Sequence, residues 1–176
     1  MNLPNLITIF RIILVPIFLI LFHSDLENRV LYSGLVFLLA GASDVLDGYI
    51  ARKYDLTSKL GAVLDPLADK MMSFAVLISF TISGFIPLWV LYILMLKEIV
   101  MIFGGLFLYL RKEKSVIPSN RNGKNATVSF YIAIVSIILR APKALSSTLL
   151  TITVVLNILA FIGYLRIYIN LDEGSA

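Results

Sequence analysis

Five aspartates and four basic residues fall within SDVLDGYIARKYDLTSKLGAVLDPLADK, residues 43–70. Four of the aspartates pair by spacing: Asp44 with Asp47, three apart, and Asp65 with Asp69, four apart. On helices, each pair occupies one face. Four carboxylates brought to one place repel one another unless cations compensate them. Oxygen-only donors with no His or Cys nearby select a hard ion, so Mg²⁺ or Mn²⁺ is expected, and two of them. A pair of such ions about 3.5–4 Å apart is a common device for clamping a phosphoryl group during in-line displacement. The chemistry these spacings point to is therefore metal-assisted transfer at phosphorus. The chain has no cysteine, which excludes a disulfide framework, a thiolate metal site and a cysteine nucleophile.

The elements that must position these carboxylates lie in a bilayer. With 59% hydrophobic and 15% charged residues and a mean hydropathy of +0.93, the chain is outside the soluble globular range and reads as an integral membrane protein. Six apolar segments, at 3–22, 30–53, 58–83, 86–110, 122–140 and 144–169, predict an all-α, polytopic fold of six transmembrane helices in a single domain spanning 1–176. The first segment begins too close to Met1, without a basic leader or a small-residue cleavage site, to be a removable signal peptide. Pro4 suits a first helical turn, and Pro16, inside the apolar run, predicts a kink. No solenoid repeat or low-complexity linker interrupts the pattern.

Orientation follows from loop charge. With the N-terminus inside, the inner connections hold Arg52, Lys53, Lys59, Arg111, Lys112, Lys114, Arg121 and Lys124, and the outer ones only Arg29, Arg140 and Lys143. Eight against three places both termini in the cytoplasm, in a multi-pass protein of the cell (inner or plasma) membrane whose active site faces inward. The net charge of +4 needs no nucleic-acid partner, because basic loops serve orientation and contact with anionic lipid headgroups. Asp44 and Asp47 then sit near the cytoplasmic end of the second helix and Asp65 and Asp69 near the start of the third. Consecutive antiparallel helices can bring these faces together, and Gly48 and Gly61 let them approach closely. Asp55 reads as a solvated residue of the intervening polar turn, Lys70 as an ion-pairing or snorkelling residue pointing away from Asp69, and His23, beside Asp25, as a solvated histidine.

Asp44, Asp47-Gly48, Ala51-Arg52, Gly61, Asp65 and Asp69 fill every fixed position of D-x2-D-G-x2-A-R-x8-G-x3-D-x3-D. This pattern resembles that of the CDP-alcohol phosphatidyltransferases. The opening NLPNLITIFRI and the segment GAVLDPLADK look like the branch of bacterial phosphatidylglycerophosphate synthases and the related eukaryotic-type cardiolipin synthases. The resemblance implies that Asp44, Asp47, Asp65 and Asp69 hold two divalent ions against the diphosphate of CDP-diacylglycerol. It implies that Asp69 is also the general base on the acceptor hydroxyl, and that Asp47, Gly48, Ala51, Arg52 and Gly61 line the CDP side. The implied activity, a step of phospholipid biosynthesis, transfers the phosphatidyl group to glycerol 3-phosphate and releases CMP. The family also implies a homodimer.

A small phosphorylated alcohol needs cations around its phosphate, and intramembrane basic residues are functional candidates. Arg11, Lys97 and Lys124 are the residues expected to bind this acceptor. Against that, the synthases of this branch resembled here carry Arg-Glu in the fourth helix and a further arginine about two turns on. This chain has Lys97-Glu98 and then glycine near Gly104-Gly105. The glycine version resembles the cardiolipin synthases of the same family, whose acceptor is the lipid phosphatidylglycerol. A reading of another class, a divalent-cation transporter, also fits clustered aspartates. Transporters, however, carry inverted repeats and broken helices at the midplane, and Arg52 and Lys53 would repel a permeating cation.

Overall fold

The computed structural model describes residues 3–54, 61–110 and 121–173, so Asp55, Lys59, Arg111, Lys112 and Lys114 lie outside the described residues. Six helices and no strand are found among the described residues: α1 (Leu3–Phe22), α2 (Arg29–Tyr54), α3 (Gly61–Ile82), α4 (Leu88–Leu110), α5 (Arg121–Ile138) and α6 (Lys143–Glu173). Two described stretches, Arg29–Ala51 of 23 residues and Lys143–Arg166 of 24, are long and apolar enough to cross a bilayer. A shorter apolar stretch covers Leu6–Phe22. Helix α1 runs through Pro16 without a break.

Hydroxyl side chains are tolerated in these helices because most return to their own backbone. Ser33, Ser43, Thr81, Thr148, Thr151 and Thr153 each donate to the carbonyl four residues back, at 2.7–2.9 Å. In hydrocarbon, where water cannot serve, this satisfies the hydroxyl within the helix.

The chain divides into two compact units, Met1–Phe85 and Ile86–Ala176. In the first, α1 packs along both α2 and α3, while α2 and α3 meet directly at only a few residues. Helix α1 thus lies against both α2 and α3 among the described residues, and the close approach expected at Gly61 falls where the surroundings are not described. Phe18, Phe22 and Phe80 form its buried aromatic centre, with Phe22 and Phe80 rings 5.0 Å apart. His23 is exposed, as expected, yet its Nε2 lies 3.4 Å from Ser79 Oγ.

Helix α3 ends in a Schellman motif. Gly84, at φ 75°, donates its N–H to Thr81 O at 3.0 Å, and Phe85 N–H reaches Phe80 O at 2.9 Å. The Phe80 and Phe85 rings, 5.8 Å apart, supply the hydrophobic contact that accompanies this cap. In the second unit α5 ends the same way: Arg140 N–H bonds Ile137 O and Ala141 N–H bonds Ser136 O, both at 2.9 Å. Here the left-handed position, φ 55°, is held by an arginine. Pro87 and Pro142 directly precede α4 and α6, where a proline costs no helical hydrogen bond. The second unit is built on α5 against α6, with α4 also on α6, and polar pairs cross it: Ser129 with Thr153 at 2.8 Å and Ser136 to Ser146 at 3.0 Å.

Candidate active site

Two side chains of α1, one helical turn apart, reach the aspartates of both neighbouring helices. Arg11 is buried, with a side-chain exposure of 2%. Its Nη1 lies 2.6 Å from Asp44 Oδ1, and its Nη2 is paired and hydrogen-bonded to Asp47 Oδ2. The α2 pair therefore shares one guanidinium, as residues three apart on a helix can. On the other side, buried Thr8 donates its hydroxyl to Asp65 Oδ1 of α3 at 2.5 Å. Asp44 and Asp65 are both near enough to Asp47 for their charges to act on it. Among the described residues, Arg11 Nε and Nη1 are buried without a hydrogen-bond partner, so Nη1 meets Asp44 as an ion pair while Nη2 carries the hydrogen bond to Asp47.

The carboxylates differ in access. The Asp44 side chain is 46% exposed and that of Asp47 is 6% exposed, so one faces outward and the other is enclosed. Asp65 and Asp69 are both half-buried on one face of α3. The structure thus joins Asp44 and Asp47 through Arg11 and ties Asp65 to α1 through Thr8. Asp69 follows one turn beyond Asp65. Among the described residues, no three acidic or histidine side chains form a ready-made metal cage. The donor chemistry nevertheless suits a hard divalent cation: carboxylate oxygens from two helices, one of them open, already drawing a positive charge in the form of Arg11.

Gly48 follows Asp47 in α2, and Ala51 lies one turn on from it, half-buried. The side chain of Arg52 and the surroundings of Gly61, the first residue of α3, lie outside the described residues. At the end of α2 the Lys53 ammonium rests over the rings of Tyr49 and Tyr54, 5.5 and 5.6 Å from their centroids. An amphipathic lysine with tyrosines is the composition of a membrane–water interface.

The other basic candidates belong to the second unit. Lys97 on α4 pairs with Glu98 Oε1 at 2.5 Å and donates to Asn157 Oδ1 on α6 at 3.0 Å. Asn157 in turn donates to Thr153 O at 2.9 Å, so Lys97 ends a polar chain reaching into α6. Lys124 is exposed in the first turn of α5. A side chain added at Gly104 would meet nothing within 4 Å, whereas one at Gly123 would come within 3.1 Å of the Tyr164 hydroxyl.

Thr8 is the residue that sequence reasoning missed. A threonine in an apolar helix usually bonds its own backbone, so its type carries little signal. Its position three residues before Arg11 was the available clue, because two polar residues on one face of a membrane helix point to a bundle interior.

A family model of the CDP-alcohol phosphatidyltransferases matches residues 1–160. A CDP-diacylglycerol–glycerol-3-phosphate 3-phosphatidyltransferase of Haemophilus influenzae is 48% identical over 77 residues, 44% of this chain. The match spans only 42% of that relative's length. The protein of the same name from Bacillus subtilis is 34% identical over 150 residues, covering 78% of this chain and 77% of its own. A putative cardiolipin synthase of Mycobacterium tuberculosis is 34% identical over 139 residues, 79% of this chain and 65% of its own. With Asp44, Asp47 and Asp65 gathered around α1 and the family pattern running through all but the last helical turns, the chain belongs to the CDP-alcohol phosphatidyltransferase family.

Proposed function

We propose that this protein transfers the phosphatidyl group of CDP-diacylglycerol to glycerol 3-phosphate and releases CMP. The observation that carries the reading is the convergence of α2 and α3 carboxylates on one face of α1. The names of the Haemophilus and Bacillus relatives support the acceptor. Asp44, Asp47, Asp65 and Asp69 would hold two divalent ions, Mg²⁺ or Mn²⁺, which supply charge neutralisation at the diphosphate.

The protein's own groups do the rest. Asp69 accepts the proton of the acceptor hydroxyl, a role that requires it within about 2.6–3.2 Å of that oxygen in the bound complex. The acceptor oxygen forms a bond to the β-phosphorus as the bond from that phosphorus to the bridging oxygen breaks, and CMP leaves with the bridging oxygen. Gly48, Ala51, Arg52 and Gly61, with Asp47, form the CDP side, where small residues admit the nucleotide and a guanidinium meets phosphate. Lys97 and Lys124 serve the acceptor phosphate, whereas Arg11, assigned to it from the sequence, is taken up by Asp44 and Asp47. All six helices cross the inner membrane with both termini and the site on the cytoplasmic side, in keeping with the eight-to-three charge bias, and the chain works as a homodimer.

A second reading, transfer to phosphatidylglycerol, has a specific observation behind it: the open space at Gly104, together with the Mycobacterium relative's name. An acceptor screen separates the two. Purified protein with CDP-diacylglycerol and Mg²⁺ or Mn²⁺ should convert glycerol 3-phosphate to phosphatidylglycerophosphate faster than it converts phosphatidylglycerol to cardiolipin. The reverse order would assign the lipid acceptor.

A further inference from the structure

We infer that Thr8 is a positioning residue for Asp65, setting the orientation of that carboxylate and with it the affinity of the site for divalent cations. The inference rests on the reading of Asp65 as a metal ligand. Among the described residues most helix hydroxyls bond a carbonyl of their own helix, and two pairs bond hydroxyl to hydroxyl across α5 and α6. Thr8 sends a bond from α1 to a carboxylate 57 residues away. It is fully buried, with none of its surface exposed, and Asp65 is half-buried.

A carboxylate has about four lone-pair sites and a nearly free terminal torsion. One donor on Oδ1 occupies one site and stops the rotation, leaving the other oxygen for a cation. Threonine is apt for this because its branched Cβ restricts χ1, so the hydroxyl is itself held in one direction. Arg11, on the next turn of the same face, does the corresponding job for Asp44 and Asp47. Helix α1 therefore fixes both halves of the carboxylate set from one side, which explains why it lies against both α2 and α3.

The test compares the full chain with T8V and T8S in lipid nanodiscs. Removing a partner that orients a metal ligand costs about 10–100-fold in metal affinity. T8V should therefore bind Mn²⁺, read by the loss of the free-ion paramagnetic resonance signal, at least about tenfold more weakly than the parent. Its kcat should fall with little change in KM for CDP-diacylglycerol, and T8S should restore both. T8A, which removes the hydroxyl without burying a new methyl group in its place, serves the same comparison if T8V is not recovered folded. Mn²⁺ affinity in T8V equal to the parent's, or T8S as weak as T8V, overturns the inference. A thermal-unfolding cycle of T8V, D65N and the double variant in chelator is independent of metal: losses that do not add support the contact, and additive losses overturn it. A parent that binds no Mn²⁺ would instead sink the two-ion reading, while the cycle still decides the role of Thr8.

Discussion

At the residue scale the centre of the site is Arg11, an arginine buried in an apolar helix with two aspartates of the next helix on its outer nitrogens. Burying a charge in this way is tolerable only because the partners answer it, and removing one partner leaves the others exposed to the full desolvation cost. Arg11→Ala should destabilise the protein by about 3 kcal/mol, the low end for a buried pair because Asp44 is half-exposed. Mn²⁺ should raise the unfolding temperature of that variant more than it raises the parent's, since the freed carboxylates then lack a counter-charge. Equal shifts would mean that Arg11 and the metal do not share ligands. Asp69→Asn keeps the shape of the side chain and removes its basicity, so kcat should fall about 10²–10⁴-fold. An unchanged rate would move the base elsewhere. Asp44, Asp47, Asp65 and Arg11 were conspicuous in the sequence as charged residues at helical spacing in an apolar chain, though Arg11 was assigned to the acceptor and not to the Asp44–Asp47 pair it meets. Thr8 was not conspicuous, because a hydroxyl in such a helix has a routine partner in its own backbone.

At the element scale the helix ends were readable and the helix neighbours were not. Five of the six predicted segments agree with the observed helices to within about three residues at each end, because Pro, Gly and charged residues punctuate the apolar runs. α6 runs four residues further than expected, to Glu173, and α5 stops at Ile138, two residues early. That early stop comes from Arg140, which takes the left-handed conformation of a C-cap usually held by glycine. Arg140→Gly should relieve that strain and stabilise the protein by roughly 1 kcal/mol, while Gly84→Ala at the equivalent cap of α3 should cost about as much. Thermal unfolding in detergent checks both signs, and a destabilised Arg140→Gly would show that the arginine side chain does more than occupy the turn. The packing of α1 against both α2 and α3 was hidden because apolar residues surround each helix, leaving no stripe to reveal which face meets which neighbour.

At the scale of the whole molecule, the setting followed from composition and the family from a motif of fixed spacing, whereas the proposed acceptor rests on Lys97 and Lys124, whose roles spacing does not specify. Lys97 illustrates why: its ammonium already has Glu98 and Asn157 as partners, so its charge alone does not mark a phosphate site. If it and Lys124 serve the acceptor, Lys97→Ala and Lys124→Ala should each raise KM for glycerol 3-phosphate by roughly 10-fold or more, with KM for CDP-diacylglycerol much less changed, the loss expected for one charge-assisted hydrogen bond. Steady-state kinetics with each substrate varied in turn would show it. The central claim, that carboxylates of α2 and α3 form one metal-dependent centre for phosphatidyl transfer, is tested most directly by CMP release. Purified protein given CDP-diacylglycerol and glycerol 3-phosphate should release CMP only with Mg²⁺ or Mn²⁺ present, and Asp65→Ala, folded and inserted like the parent, should release almost none. CMP release that persists in chelator, or an Asp65→Ala variant that keeps a substantial share of the parent's rate, would contradict it.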